Sequence, residues 1–229
     1  MVSPTARRQM YLLGLLACCT FAFQTTAWSG EKTRVACVGD SITFGAGVKN
    51  RKENSYPVVL GKLLGGEYEV RNFGVSGTTL LKKGDRPYWK TKQFKQATDF
   101  APNIVVIKLG TNDTKPQNTK VKEQFEGDLT AMVDHFAGLP SKPKIFLCLP
   151  VPVYKTRWGI NAKDLAYYMP IIKKVAKAKG TGLIDLHTAL SNQEALFPDK
   201  IHPNVEGAKK MAETIAPILQ KEAAPIGAK

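Results

Sequence analysis

The chain has 229 residues, with 33 Lys and Arg against 19 Asp and Glu for a formal net charge of +14. At 43% hydrophobic and 23% charged its composition is that of an ordinary globular protein, which excludes intrinsic disorder, collagen and disulfide-stapled miniproteins. The length suits one α/β domain with its own core. The lysines are scattered, with no basic run and no aromatic-basic interleaving, so no nucleic-acid partner is expected, whereas the positive field favours anionic partners such as acidic glycans.

The first segment reads as a targeting sequence. Arg7 and Arg8 precede an uncharged apolar run from Met10 to Phe23, shorter than the ~20 residues a spanning helix needs, and Thr25 and Ala27 offer a cleavage site before Trp28. Residues 1–29 are set aside as a signal peptide and 30–229 as the folded domain. The expected location is exported, periplasmic or secreted, with no stable membrane insertion of the mature chain. Two alternatives stay open: Leu15-Leu16-Ala17-Cys18 loosely resembles a lipoprotein box, and Gln24 to Gly30 extends the run toward an uncleaved anchor. Outside this segment only Cys37 and Cys148 remain, both in apolar strand-like runs and expected as buried free thiols.

Short β-branched runs then alternate with longer helical patterns, the signature of βαβ units and a parallel sheet. Strands are expected at Thr33 to Val38, Tyr68 to Phe73, Ile104 to Leu109, Lys144 to Leu149 and Gly182 to Asp185. Helices are expected near Tyr56 to Leu64, Gln93 to Asp99, Lys120 to Ala137, Asp164 to Lys179 and Asn204 to Lys221, with a frayed tail from Ala223. The architecture this implies is a three-layer α/β/α sandwich, in which ligands bind at the carboxyl ends of the strands.

Four motifs fall at such ends: Gly39-Asp40-Ser41-Ile42, Gly74-Val75-Ser76-Gly77-Thr78, Gly110-Thr111-Asn112-Asp113, and Asp199-Lys200-Ile201-His202 ahead of the last helix. A neutral serine needs a base to accept its proton during attack, and neutral imidazole suits that task near pH 7. An aspartate three residues before the histidine can orient the ring from the same loop. The nucleotide-binding alternatives fail: no Gly-Lys-Ser/Thr closes a phosphate loop after Gly39, there is no GxGxxG, and Thr43 stands where a G-x-S-x-G elbow needs its second glycine.

Taken together in this order, the four blocks resemble the GDSL-type esterases, also called SGNH hydrolases, over residues 35 to 210. The resemblance implies a flavodoxin-like five-stranded parallel sheet of order 2-1-3-4-5. It also implies a catalytic set of Ser41, Asp199 and His202, an oxyanion hole formed by the N–H groups of Ser41 and Gly77 and the amide of Asn112, and no cofactor or metal. Ile42 departs from the family's frequent leucine conservatively. Each role has a plainer rival: Ser41 as a helix cap, Asn112 as a turn residue, Gly74 and Gly77 as turn glycines. Of the other histidines, His135 falls inside a helix and is expected to pack, and His187, with Asp185 two residues before it, lacks a third convergent ligand for a metal.

The stretch Phe73 to Lys90 resembles exported bacterial carbohydrate O-acetylesterases of the sialate type. Arg86, Tyr88 and Trp89, and Tyr154, Arg157 and Trp158, are loop residues expected near the site. Of these, Trp89, Tyr154, Arg157 and Trp158 are the candidate substrate contacts, since aromatic faces suit sugar rings and guanidinium suits carboxylates; the rival is that the tryptophans are half-buried anchors. The reading reached is a serine esterase acting on short acyl, chiefly acetyl, esters of a small molecule or glycan, acidic glycans included. Its alternatives are a lysophospholipase, lipase or thioesterase of the same fold, or a catalytically silent carbohydrate-binding protein.

Overall fold

The computed structural model describes residues 31–223; residues 1–30, where the signal peptide is expected, and the tail beyond Ala223 lie outside the described residues. In chain order the elements are β1 (Thr33–Gly39), α1 (Ser41–Phe44), α2 (Arg51–Asn54), α3 (Tyr56–Leu64), β2 (Tyr68–Gly74), α4 (Lys92–Asp99) and β3 (Ile104–Lys108). There follow α5 (Phe125–Ala137), β4 (Lys144–Leu149), α6 (Ala162–Lys179), β5 (Gly182–Asp185), α7 (Leu186–Leu190) and α8 (Val205–Ala223). The sheet is wholly parallel with order β2-β1-β3-β4-β5. All five expected strands form within a residue of their expected ends.

Strand residues alternate between two buried faces, the reason these strands read as nearly continuous apolar runs. Ala36, Val38, Val105, Ile107, Ile145 and Leu147 pack with Leu129, Met132, Phe136, Tyr168 and Ile172 of α5 and α6. On the other face Val35, Cys37, Ile104, Val106, Phe146 and Ile184 pack with Tyr56 and Leu60 of α3, Leu190 of α7, and Met211, Ile215 and Leu219 of α8. The three layers are therefore real, and the strand ends that matter for chemistry emerge between them. Cys37 and Cys148 are buried free thiols, and burial pushes both thiol pKa values up, which keeps them protonated and inert.

Two differences from the expected elements have physical reasons. The helix expected from Lys120 begins at Phe125, because Pro116–Gln124 coils as 3-10 turns; this polar stretch offers no apolar stripe to pack an α-helical face. Three short helices, α1, α2 and α7, were not expected, being four or five residues long and so too brief to show a period of 3.6. Among the described residues no helix is long and apolar enough to cross a membrane.

Candidate active site

The chain leaves β1 at Gly39 and turns into α1, whose N-cap is Asp40: its carboxylate accepts from the Ile42 N–H at 3.0 Å. This places Ser41 at the first position of a helical turn at the carboxyl end of the sheet. Beneath it, Asp40 pairs with Lys108, the last residue of β3, at 3.0 and 3.1 Å; both side chains are completely buried. The Lys108 ammonium donates a further bond to Thr111 Oγ1 at 2.8 Å. One buried cation thus ties the turn carrying Ser41 to the loop carrying Asn112.

The base comes from the far end of the chain. Ser41 Oγ lies 2.9 Å from His202 Nε2, and His202 Nδ1 lies 2.7 Å from Asp199 Oδ2. With the proton on Nδ1, the ring donates to the carboxylate and its Nε2 accepts from the serine hydroxyl, the arrangement a general base requires. The other Asp199 oxygen accepts from the N–H groups of Ile201 and His202 at 2.9 and 2.7 Å. Burial alone raises the Asp199 pKa, but the His202 N–H and imidazole and the Ile201 N–H outweigh it and hold the carboxyl below its ordinary value.

That depression has a sign and a pH window. A carboxyl whose folded pKa lies below its unfolded value of ~3.9 stabilises the fold in full above that pH, and the contribution is lost as pH falls through the lowered folded value. Asp199→Asn should therefore be less stable than the parent at neutral pH, with the gap narrowing as pH falls below the unfolded value of ~3.9. Denaturation midpoints measured from pH 7 to pH 2.5 check this, and a gap that does not narrow with acid contradicts it.

The second motif lies beside the third. Gly77 has φ = 79°, the left-handed region where a side chain is strained, and the Asn112 amide donates to the carbonyl of the next residue, Thr78, at 3.0 Å. The Asn112 nitrogen carries two hydrogens, so one is left for another acceptor. Gly74 is a packing glycine, since a β-carbon there would stand 2.2 Å from the Phe44 backbone nitrogen. Asp113 accepts from the Leu80 and Leu81 N–H groups at 3.1 and 2.8 Å, and burial pushes its carboxyl up to about 7. It fixes the segment after Gly77 and faces away from acid–base work.

The four candidate substrate contacts divide. Trp158, the most exposed large apolar side chain of the described residues at 57%, has its ring 5.8 Å from that of His202, and Arg157 stacks on it with Cζ 4.4 Å from the indole centroid. The positive φ of Trp158 and Gly159 (50° and 80°) and the paired Arg157 and Ile160 backbones make a tight turn that presents these two side chains. Trp89 and Tyr154 are corrected. Trp89 is packed on Phe94 at 5.2 Å, and its indole N–H donates to the Leu80 carbonyl at 2.7 Å, so its face and its one donor are both committed to the fold. Tyr154 packs on Phe197, and its hydroxyl donates to the Leu190 carbonyl and accepts from the Gln193 N–H. It braces the wall leading to Asp199.

The remaining histidines have structural partners. His135 bonds Thr98 Oγ1 at 2.8 Å and stacks on Phe94, while His187 Nδ1 bonds the Pro150 carbonyl at 3.1 Å. Asp185 caps α7 through the Thr188 N–H and hydroxyl, both at 2.8 Å, which leaves its carboxylate committed to the helix end. Lys108 is the site residue that sequence reasoning missed. Its signal was a lysine inside the apolar run Ile104-Val105-Val106-Ile107-Lys108-Leu109, where an unpaired charge would be too costly to bury.

Comparison with known proteins adds the relatives. Residues 37–210 match the GDSL-like lipase/acylhydrolase family. The chain is 43% identical over 209 residues to an acetylxylan esterase of Xylanibacter ruminicola; the match covers 83% of this chain but 44% of that protein, so the chain spans less than half of its relative's length. Among solved structures it resembles a carbohydrate acetylesterase from Sinorhizobium meliloti, with TM-score 0.70 and 20% identity over 83% of this chain and all of that one. An aryl esterase of M. smegmatis gives TM-score 0.66 and 18% identity over 82% and 99%. At such identities the structural likeness speaks for the fold.

Proposed function

Because the chain belongs to the GDSL-like lipase/acylhydrolase family, we propose that it is a serine esterase that removes short acyl groups, acetyl above all, from carbohydrates, acidic glycans among them. The observation that carries the reading is the hydrogen-bonded series Ser41, His202, Asp199, with 2.9 and 2.7 Å between successive partners. It is supported by the acetylxylan esterase relative.

In this reading Ser41 Oγ attacks the ester carbonyl as its proton passes to His202 Nε2, and Asp199 stabilises the imidazolium through Nδ1–H. The carbonyl oxygen becomes an oxyanion, received by the N–H groups of Ser41 and Gly77 and by the free hydrogen of the Asn112 amide; each such donor can lower the barrier by ~3 kcal/mol. His202 then gives its proton to the departing sugar oxygen, leaving an acyl-serine. Water attacks that ester with His202 again as base, which releases the acid and restores Ser41. Nucleophile, base and charge stabilisation all come from this chain's own side chains and backbone. The Asp40–Lys108 pair below the serine keeps its N–H and hydroxyl in register with the Asn112 loop.

The direct test is acetate release from acetylated xylan by the purified protein, and its absence with every acetylated glycan tried would overturn the carbohydrate assignment. Acyl length supplies a second test. The groups around Ser41 are small or polar (Gly77, Thr78, Asn112), and of the exposed large apolar side chains among the described residues, Leu63, Trp158 and Leu183, Trp158 is the one stacked near His202. Each methylene left uncovered forfeits ~0.8 kcal/mol of burial. The expected order of kcat/KM is p-nitrophenyl acetate, then butyrate, then octanoate. A preference for octanoate favours the lipase or thioesterase alternative.

A further inference from the structure

Five arginines lie between residues 31 and 223, and they fall into two groups. Arg34 pairs with Glu31 and Arg71 with Glu69, while Arg51, which meets no carboxylate among the described residues, is half-buried over the Phe44 ring at 3.7 Å. Arg86 and Arg157 meet no carboxylate among the described residues, and both are exposed. The nearest acid in sequence, Asp85, is turned to Lys115, Gln117 and Asn118. These two unmatched guanidinium groups are the ones beside the proposed site. A β-carbon on Gly77 would stand 3.4 Å from Arg86 Nη1, so this guanidinium lies against the oxyanion segment. Arg157 is held on the Trp158 ring, which stands against His202.

An exposed guanidinium without a carboxylate partner presents a planar fork that matches a carboxylate in two parallel hydrogen bonds. The ester undergoing cleavage carries no charge of its own, so a cation on the rim has nothing to bind in a neutral acetylated sugar beyond hydroxyl groups. Its chemistry is met by an anion elsewhere on the same substrate. Resting on the esterase reading above, we propose that Arg86 and Arg157 form a carboxylate-binding rim, one on the donor side and one on the base side of Ser41. The rim selects glycan esters that bear a uronic acid close to the acylated hydroxyl.

The experiment uses two acetylated xylo-oligosaccharide preparations that differ only in one glucuronic acid substituent. At low ionic strength the acidic substrate should have a kcat/KM about tenfold above the neutral one, the scale of one charged hydrogen bond, mostly through a lower KM. The ratio should fall toward one in 0.5 M NaCl and in the Arg86→Gln/Arg157→Gln variant, with the single variants between. Arg71→Gln removes the same charge from the edge strand β2, where the guanidinium is already paired with Glu69, and should retain the ratio. Equal cleavage of both substrates by the parent overturns the rim and leaves the esterase reading standing. An equal loss of the ratio in Arg71→Gln also overturns it, by assigning the preference to overall charge. Cleavage of p-nitrophenyl acetate but of neither oligosaccharide overturns the carbohydrate reading and the rim with it.

Discussion

Ser41→Ala should lower kcat by roughly 10⁴- to 10⁶-fold, the loss expected when a nucleophile that works as one unit with its base is removed. In the proposed mechanism this hydroxyl forms the acyl intermediate, and no other serine or threonine hydroxyl among the described residues is bonded to the His202 ring. The fold should be kept, because the Asp40 carboxylate, not the Ser41 side chain, caps the turn. His202→Asn should cost a comparable factor, and the double variant should be no slower than either single one, since a base without its nucleophile accelerates nothing. The contrasting variant is His135→Asn, whose ring packs on Phe94 and bonds Thr98 and whose loss should leave turnover near the parent rate. Steady-state rates on p-nitrophenyl acetate decide this. Multiplicative losses in the double variant, or an equal loss in His135→Asn, would sink the assignment of the pair.

Lys108→Met should destabilise the protein by about 3–5 kcal/mol, because it strands the Asp40 carboxylate in a fully buried place with no counter-ion. The pair itself adds little net stability, since removing two charges from water offsets their attraction; breaking it is what costs. The combination Asp40→Asn with Lys108→Met, which removes both charges while keeping an acceptor for the Ile42 N–H, should recover most of the loss. Urea denaturation of the parent and the two variants measures it. If Lys108→Met unfolds at the parent's midpoint, Lys108 is not what neutralises the buried Asp40 carboxylate.

The sheet was legible because its three central strands, β1, β3 and β4, are buried on both faces and therefore spelled as compact apolar runs, while the edge strands β2 and β5 are only partly buried and were marked by their place between helical stretches. The hydrogen-bonded series Ser41, His202 and Asp199 was legible because each residue sits in a short motif at a strand or helix terminus, where backbone geometry restricts the residues allowed, whereas the role of Asn112 rests on the family resemblance. The outward-looking loop residues were harder. Trp89 and Trp158 carry the same signature, an aromatic beside basic residues, yet Trp89 is drawn inward by Leu80 and Phe94 while Trp158 stands on a left-handed turn over His202. Which way a loop aromatic faces depends on neighbours distant in sequence, and no local pattern encodes it. Lys108 was hidden for the same reason: its partner Asp40 is 68 residues away.

The distance along the chain between nucleophile and base, 161 residues, ties chemistry to the order of assembly. His202 stands immediately before α8, and α8 is held by Met211, Ile215 and Leu219 in the layer it shares with α3. A refolding chain that has formed its sheet but not yet docked this last helix holds a serine with nothing to take its proton. The proposed esterase activity would therefore report the final closure of the molecule, and should return after the far-ultraviolet signal of the strands and earlier helices has already recovered.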